Sequence, residues 1–109
     1  MKSKSEFIKD FNRTLFNHLT DPSLNGKQLA EYLGMSRMHL HRHLVRYFKC
    51  SAGDVIRHTR LQQSLRLLQN DQASISQVAE RVGFTDPGYY TRVFRKEYGC
   101  TPREMRRQL

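Results

Sequence analysis

Leu29-Ala30-Glu31-Tyr32-Leu33-Gly34-Met35-Ser36 is echoed by Val78-Ala79-Glu80-Arg81-Val82-Gly83-Phe84-Thr85, 49 residues further along the chain. The stretch after each copy is duplicated too. A helical pattern runs past Arg42 or Arg92 to Cys50-Ser51 or Cys100-Thr101, now at a spacing of 50, so the second copy carries one extra residue just past its glycine. Each copy has the parts of a helix-turn-helix: a small alanine where two helices must approach, a glycine at the turn, and a hydroxyl residue ahead of the next helix.

Periodicity and capping signals place these units in an all-α chain. Phe7, Ile8, Phe11, Leu15 and Leu19 recur at helical spacing over residues 5–19, and Asp21-Pro22 ends the pattern. Asn25 with Gln28 opens a helix over 26–33 that Gly34 terminates, and Ser36 caps a third running to about Lys49. Ser51 with Asp54 resembles a capping box for a long fourth helix to Leu68. Its apolar positions are Val55, Ile56, Leu61, Leu65 and Leu68, and its basic ones Arg57, Arg60 and Arg66. After a polar break at Asn70-Asp71-Gln72, Ser74 with Gln77 starts a helix over 75–82. Asp86-Pro87 starts a sixth to Tyr98, and Thr101-Pro102-Arg103-Glu104 opens a seventh to about Gln108. The expected architecture is therefore seven helices without a strand: a first helix-turn-helix subdomain over 5–50, a linker helix over 51–68 and a second subdomain over 74–108.

Charge narrows the partner. Nineteen Lys and Arg against ten Asp and Glu leave a formal charge of +9 in 109 residues, which points to an anionic polymer. The two cysteines occupy equivalent places in the two copies rather than a metal-ligand spacing and read as structural thiols. No apolar run approaches bilayer length, and Met1-Lys2-Ser3-Lys4-Ser5 lacks the apolar core of a signal peptide, so a soluble, cytoplasmic chain is expected.

The second helix of each unit divides into two faces. In the first, Leu40, Leu44 and Tyr47 share one side with Phe48 at its edge, whereas Met38, His41, Arg42, Val45 and Lys49 lie opposite. In the second, Tyr90, Val93 and Phe94 point inward, and Gly88, Thr91, Arg92 and Arg95 share the outer side. The aromatic set Tyr47, Phe48, Tyr90, Phe94 and Tyr98 therefore reads as core rather than as a platform for stacking bases.

His39-Leu40-His41-Arg42-His43 raises a metal reading, yet only His39 and His43 share a helical face, with no cysteine or carboxylate pair nearby to complete four ligands. No glycine-rich phosphate loop, paired carboxylates or nucleophile and base arrangement appears, so neither an enzyme nor a cofactor is expected.

Gly83-Phe84-Thr85-Asp86, Tyr89-Tyr90-Thr91-Arg92-Val93-Phe94-Arg95-Lys96 and Gly99-Cys100-Thr101-Pro102 together resemble the signature of the AraC/XylS transcription regulators, over about Phe7 to Arg107. The resemblance implies a DNA-binding domain of two helix-turn-helix units joined by a long helix, each offering a recognition helix to double-stranded DNA, and contact with RNA polymerase, most often as an activator. Carried onto this chain, it gives base-facing roles to Met38, His41 and Arg42 in the first unit and to Gly88, Thr91 and Arg92 in the second. Arg37, Arg46, Lys49, Arg95 and Lys96 are better placed for phosphates, which fix register without reading sequence. Arg42 can bond O6 and N7 of a guanine together, His41 can donate to a base or phosphate, and Met38 can touch a thymine methyl.

Departures from the family pattern are Ala52 where proline is frequent, Met105 where an aromatic is common, and Pro87-Gly88 where many members carry side chains able to bond bases. That last pair implies a second unit relying more on Thr91, Arg92 and phosphates. Two recognition helices matching B-DNA should have centres about 34 Å apart, or the DNA must bend. The wording Ser36-Arg37-Met38-His39-Leu40-His41-Arg42 and Asp86-Pro87 is similar to versions that end response regulators and hybrid sensor kinases. An output domain with its sensing or receiver domain outside this chain is accordingly expected ahead of a short stand-alone regulator. The rival of a different class is a basic helical module that docks an acidic protein.

Overall fold

Seven helices, and no strand among the described residues, make up the computed structural model, which describes residues 3–70 and 72–109. They are α1 (Lys4–His18), α2 (Gly26–Tyr32), α3 (Arg37–Phe48), α4 (Ala52–Leu68), α5 (Ile75–Arg81), α6 (Pro87–Tyr98) and α7 (Pro102–Gln108). Asp71 of the polar break, and Met1 and Lys2 of the N-terminus, lie outside the described residues.

The helix starts are set by side-chain chemistry. Ser36 accepts from the His39 amide, and Ser74 with Gln77 and Thr101 with Glu104 form reciprocal capping boxes. Ser51 and Asp54 exchange the same two bonds at 3.2 and 3.3 Å. Helix α1 starts one residue earlier than its apolar pattern suggests because Ser3 already caps the Glu6 amide.

The chain divides into two compact units, residues 1–57 and 58–109. In the first, Phe7, Phe11, Leu15 and Leu19 meet Leu24, Leu29, Ala30, Leu40, Leu44 and Ile56 in one apolar cluster, with Tyr47 and Phe48 half-buried against it. A parallel stack of His18 on Tyr32, centroids 3.9 Å apart, adds a contact between the end of α1 and α2. In the second, Leu61, Leu68, Ala73, Val78, Ala79, Val82, Phe84, Tyr90 and Phe94 are buried together. The early part of α4 thus serves one core and its later part the other, so its apolar residues trace no single stripe.

Arg60 corrects the reading of α4 as basic at that position. It is only 8% exposed, with its guanidinium 6.0 Å from the ring centre of Phe84. Its long stem packs and its charge rests on an aromatic face, which a count of basic residues cannot reveal. Buried Ser64 returns its hydroxyl to the Leu61 carbonyl at 2.7 Å, which satisfies its donor inside the helix. Arg106 donates to the carbonyls of Leu68 and Asn70, at 2.9 and 3.2 Å, the first an acceptor at the end of α4 and the second one that also accepts from the Ala73 amide.

Candidate nucleic-acid interface

The turns that aim α3 and α6 are built alike. At the end of α2 the Gly34 amide donates to Glu31 O and the Met35 amide to Ala30 O, at 3.1 and 3.0 Å. At the end of α5 Gly83 donates to Glu80 O and Phe84 to Ala79 O at the same two distances. This is the Schellman closure, which needs a residue with positive φ at its centre, and Gly34 and Gly83 supply it at 69° and 106°. Ala30 and Ala79 are buried beneath the turns. The extra residue of the second copy is now located: Ser36 caps α3 two residues after Gly34, whereas Asp86 caps α6 three after Gly83, leaving Thr85 exposed outside the helix.

Helix α3 turns a basic face outward. Arg37, Met38, His41, Arg42, Val45, Arg46 and Lys49 are all exposed, and no Asp or Glu lies between Arg37 and Lys49. Leu40 and Leu44 anchor the opposite side at 1% and 0% exposure. Among the described residues no carboxylate pairs with Arg37, Arg42 or Lys49. Their charged ends face solvent.

One flank of α3 is an aromatic column. The His43 ring stands 4.7 Å from Phe7, 5.5 Å from Tyr47 and 4.5 Å from His39, and the Lys4 ammonium and Arg46 guanidinium lie 5.4 and 5.9 Å from the Tyr47 ring centre. Burial pushes the His43 pKa down, helped by the charges of His39, Arg42 and Arg46. His39 and His43 do share a face, but no three of His, Cys, Asp or Glu converge as a metal site among the described residues.

The corresponding face of α6 is chemically thinner. Gly88, Arg92, Arg95 and Lys96 are exposed, while Thr91 is half-buried and so stands at the edge of that face. Arg92 bends back over the space that Gly88 leaves open: its Nη1 lies 3.7 Å from where a Cβ on residue 88 would sit, and its guanidinium carbon lies 5.8 Å from the Tyr89 ring centre. Asp86 accepts from the Gly88 amide at 2.9 Å beside it.

Two exposed side chains on these faces, Val45 and Tyr89, are given no contact role by the sequence pattern. Val45 could have been found from its spacing, seven residues after Met38 and four after His41. Tyr89 carries no such signal, because adjacent Tyr90 is fully buried and the pair reads as core.

The two helices also end differently. Gly99 closes α6 at φ 80°, a conformation open to glycine at little cost. Lys49 closes α3 at φ 61° and is the one non-glycine residue with positive φ among those described. A cationic side chain thus stands at a backbone position that favours glycine.

These features define a double helix-turn-helix protein with a basic outward helix in each unit. A family described as a helix-turn-helix domain matches residues 29–108, and the chain belongs to it, in the AraC/XylS form of DNA-binding domain. The chain is 30% identical over 92 residues to the HTH-type transcriptional activator RhaS of Escherichia coli O139:H28 (strain E24377A / ETEC), a match covering 84% of this chain and 33% of RhaS. It spans about a third of the length of the curated relatives it matches.

Among solved structures it resembles the C-terminal domain of the two-component response regulator yesN from Fusobacterium nucleatum subsp. nucleatum, with a TM-score of 0.83 at 26% identity over 90% of this chain and 95% of that one. It also resembles the DNA-binding domain of AdpA, a global transcriptional factor solved in complex with a target DNA. There the TM-score is 0.84 at 25% identity, over 92% of this chain and 89% of that one. No helix among the described residues is long and apolar enough to cross a membrane.

Proposed function

We propose that this chain is the sequence-reading output domain of a bacterial transcriptional regulator, laying α3 and α6 into major-groove segments of double-stranded DNA. The observation that carries the proposal is the outward face of α3: a row of exposed cations without an acid, on a helix held by a helix-turn-helix turn and repeated in α6. Phosphates supply the missing anions, and base edges the partners for Arg42, His41 and Met38. Arg37, Arg46 and Lys49 grip the backbone from the first unit, and Arg95 and Lys96 from the second. Gly88, Thr91 and Arg92 contact the duplex through close backbone approach and a folded arginine rather than through rich side-chain readout.

Relatives support the wider assignment. RhaS is an activator and the yesN domain ends a response regulator, so the natural reading is an activator acting in the cytoplasm on chromosomal DNA. Contact with RNA polymerase and control by a sensing or receiver domain, both implied by the family resemblance, belong to the same proposal. The test is selection from random duplex DNA, then footprinting and a salt titration. A single enriched sequence with two protected segments is expected. Binding should weaken by about 10³ to 10⁵ between about 50 and 200 mM salt if about six to ten phosphates are held. Absence of any enriched sequence would overturn the proposal in favour of a basic module that docks an acidic protein.

A further inference from the structure

On the outward face of α3, the two most central apolar side chains have no partner in the fold. Met38 is 73% exposed and Val45 44% exposed, seven residues apart and therefore on one line of the helix, with Arg42 between them. The buried side of α3 is already complete with Leu40 and Leu44, and neither Met38 nor Val45 belongs to the apolar cluster of its unit. A branched aliphatic residue in the middle of a cationic face gains nothing from water. Its helix propensity is also lower than that of the arginines around it.

We infer that Val45, together with Met38, reads the C5-methyl groups of thymines, so that the first unit recognises a guanine flanked by thymine methyls. The inference rests on the DNA-binding role proposed above and adds the chemistry of the sequence read. In the major groove the thymine methyl is the only apolar group a base edge offers, and it is the feature that apolar side chains contact. Seven residues rise about 10.5 Å along the helix, the length of about three base-pair steps at 3.4 Å each, so the two methyls lie within about three base pairs of one another. Arg42, about 6 Å along from Met38, falls between them and takes the guanine.

The second unit lacks this device. The positions 50 residues on from Met38 and Val45 are Gly88 and Arg95, which have no apolar group to offer. The Met38 and Val45 pair is thus particular to α3.

The test uses the duplex recovered by selection, with single thymines replaced by deoxyuridine, which removes only the methyl. One such replacement should weaken the intact chain about fourfold, the value of one buried methyl group. In Val45→Ala that same replacement should cost nothing, while a second thymine within about three base pairs should show the same coupling to Met38→Ala. Alanine is a better helix former than valine, and helix content measured by circular dichroism checks that folding is intact. If Val45→Ala and the uridine replacement weaken binding independently, or if no thymine matters, methyl reading by Val45 is wrong although DNA binding stands. If no sequence is selected at all, both the inference and the role beneath it fail.

Discussion

The two helix-turn-helix units share a turn but not a working surface. Gly34 and Gly83 close the same pair of hydrogen bonds at the same distances, and Ala30 and Ala79 sit buried beneath them. Yet α3 presents Met38, His41, Arg42 and Val45 and ends on a strained Lys49, whereas α6 presents Gly88, an arginine folded over it, and Arg95, and ends on a relaxed Gly99. The inner face is set by the need to bury a helix against its neighbours, so duplication preserves it. Under the proposed function the outer face answers to the duplex, and the copies divide into a unit rich in base-reading chemistry and one suited to anchoring.

The largest effect on this comparison comes from breaking one core. Phe94→Ala should cost about 3 to 5 kcal/mol by emptying a fully buried ring site in the second unit. Hydrogen exchange should then show lost protection in α6, with Leu44 and its neighbours in α3 still protected. Equal loss in both units would show that the two cores do not stand separately.

A smaller effect tests the two helix ends. Lys49→Gly should stabilise the first unit by about 1 kcal/mol by relieving the left-handed backbone, while weakening DNA binding through the lost cation. Gly99→Lys should do the reverse to stability. Thermal melts and binding isotherms together read the opposed signs. If Lys49→Gly neither raises stability nor lowers affinity, the strain has no function.

A further contrast lies in how salt acts. Lys49→Ala should lower the salt slope by about one phosphate's worth and weaken all duplexes alike. A change in preference at one base pair would instead make Lys49 a base reader.

The smallest effect separates the units by pH. The His43 pKa is held down in the folded chain, so the folded state favours neutral imidazole more than the unfolded state does. By linkage, this contribution to stability is complete above the ordinary imidazole value of about 6.5 and is lost as pH falls through the lowered one. Stability of the first unit should therefore fall as pH drops below about 6.5, and His43→Phe, which keeps a ring between Phe7 and Tyr47, should remove that part of the dependence. An unchanged pH profile in His43→Phe would assign the loss to other groups. Helix α6 contains no imidazole of its own, and the one that faces it, His58 of α4, lies 3.1 Å from the Glu97 carboxylate rather than in an aromatic column.

Much of this was legible in the chain itself because the deciding chemistry is local. Ser36, Ser74, Asp86 and Thr101 cap the helices that come after them, and the alternation of Leu40 and Leu44 with Arg42 and Lys49 separates inside from outside without knowledge of neighbours. The ends of α2 and α5 fall one residue short of their apolar patterns, since Leu33 and Val82 already belong to the glycine turn. Arg60 was illegible for a different reason: its burial depends on Phe84, 24 residues away, and a basic residue on a helix otherwise reads as surface. Lys49 was read as a cation but not as a left-handed residue, because nothing short of a glycine announces that conformation. Val45 was placed outward by spacing alone, and only its exposure beside Met38 makes its isolation visible.

The division between a reading unit and an anchoring unit is tested most directly by comparing Arg42→Ala with Arg92→Ala on the selected duplex and on each of its single base-pair variants. Arg42→Ala should lose about 1 to 3 kcal/mol of discrimination at one base pair within the segment facing α3, and Arg92→Ala should weaken every duplex by a similar factor with its preferences intact. Loss of discrimination at one position by Arg92→Ala, with uniform weakening by Arg42→Ala, would contradict it.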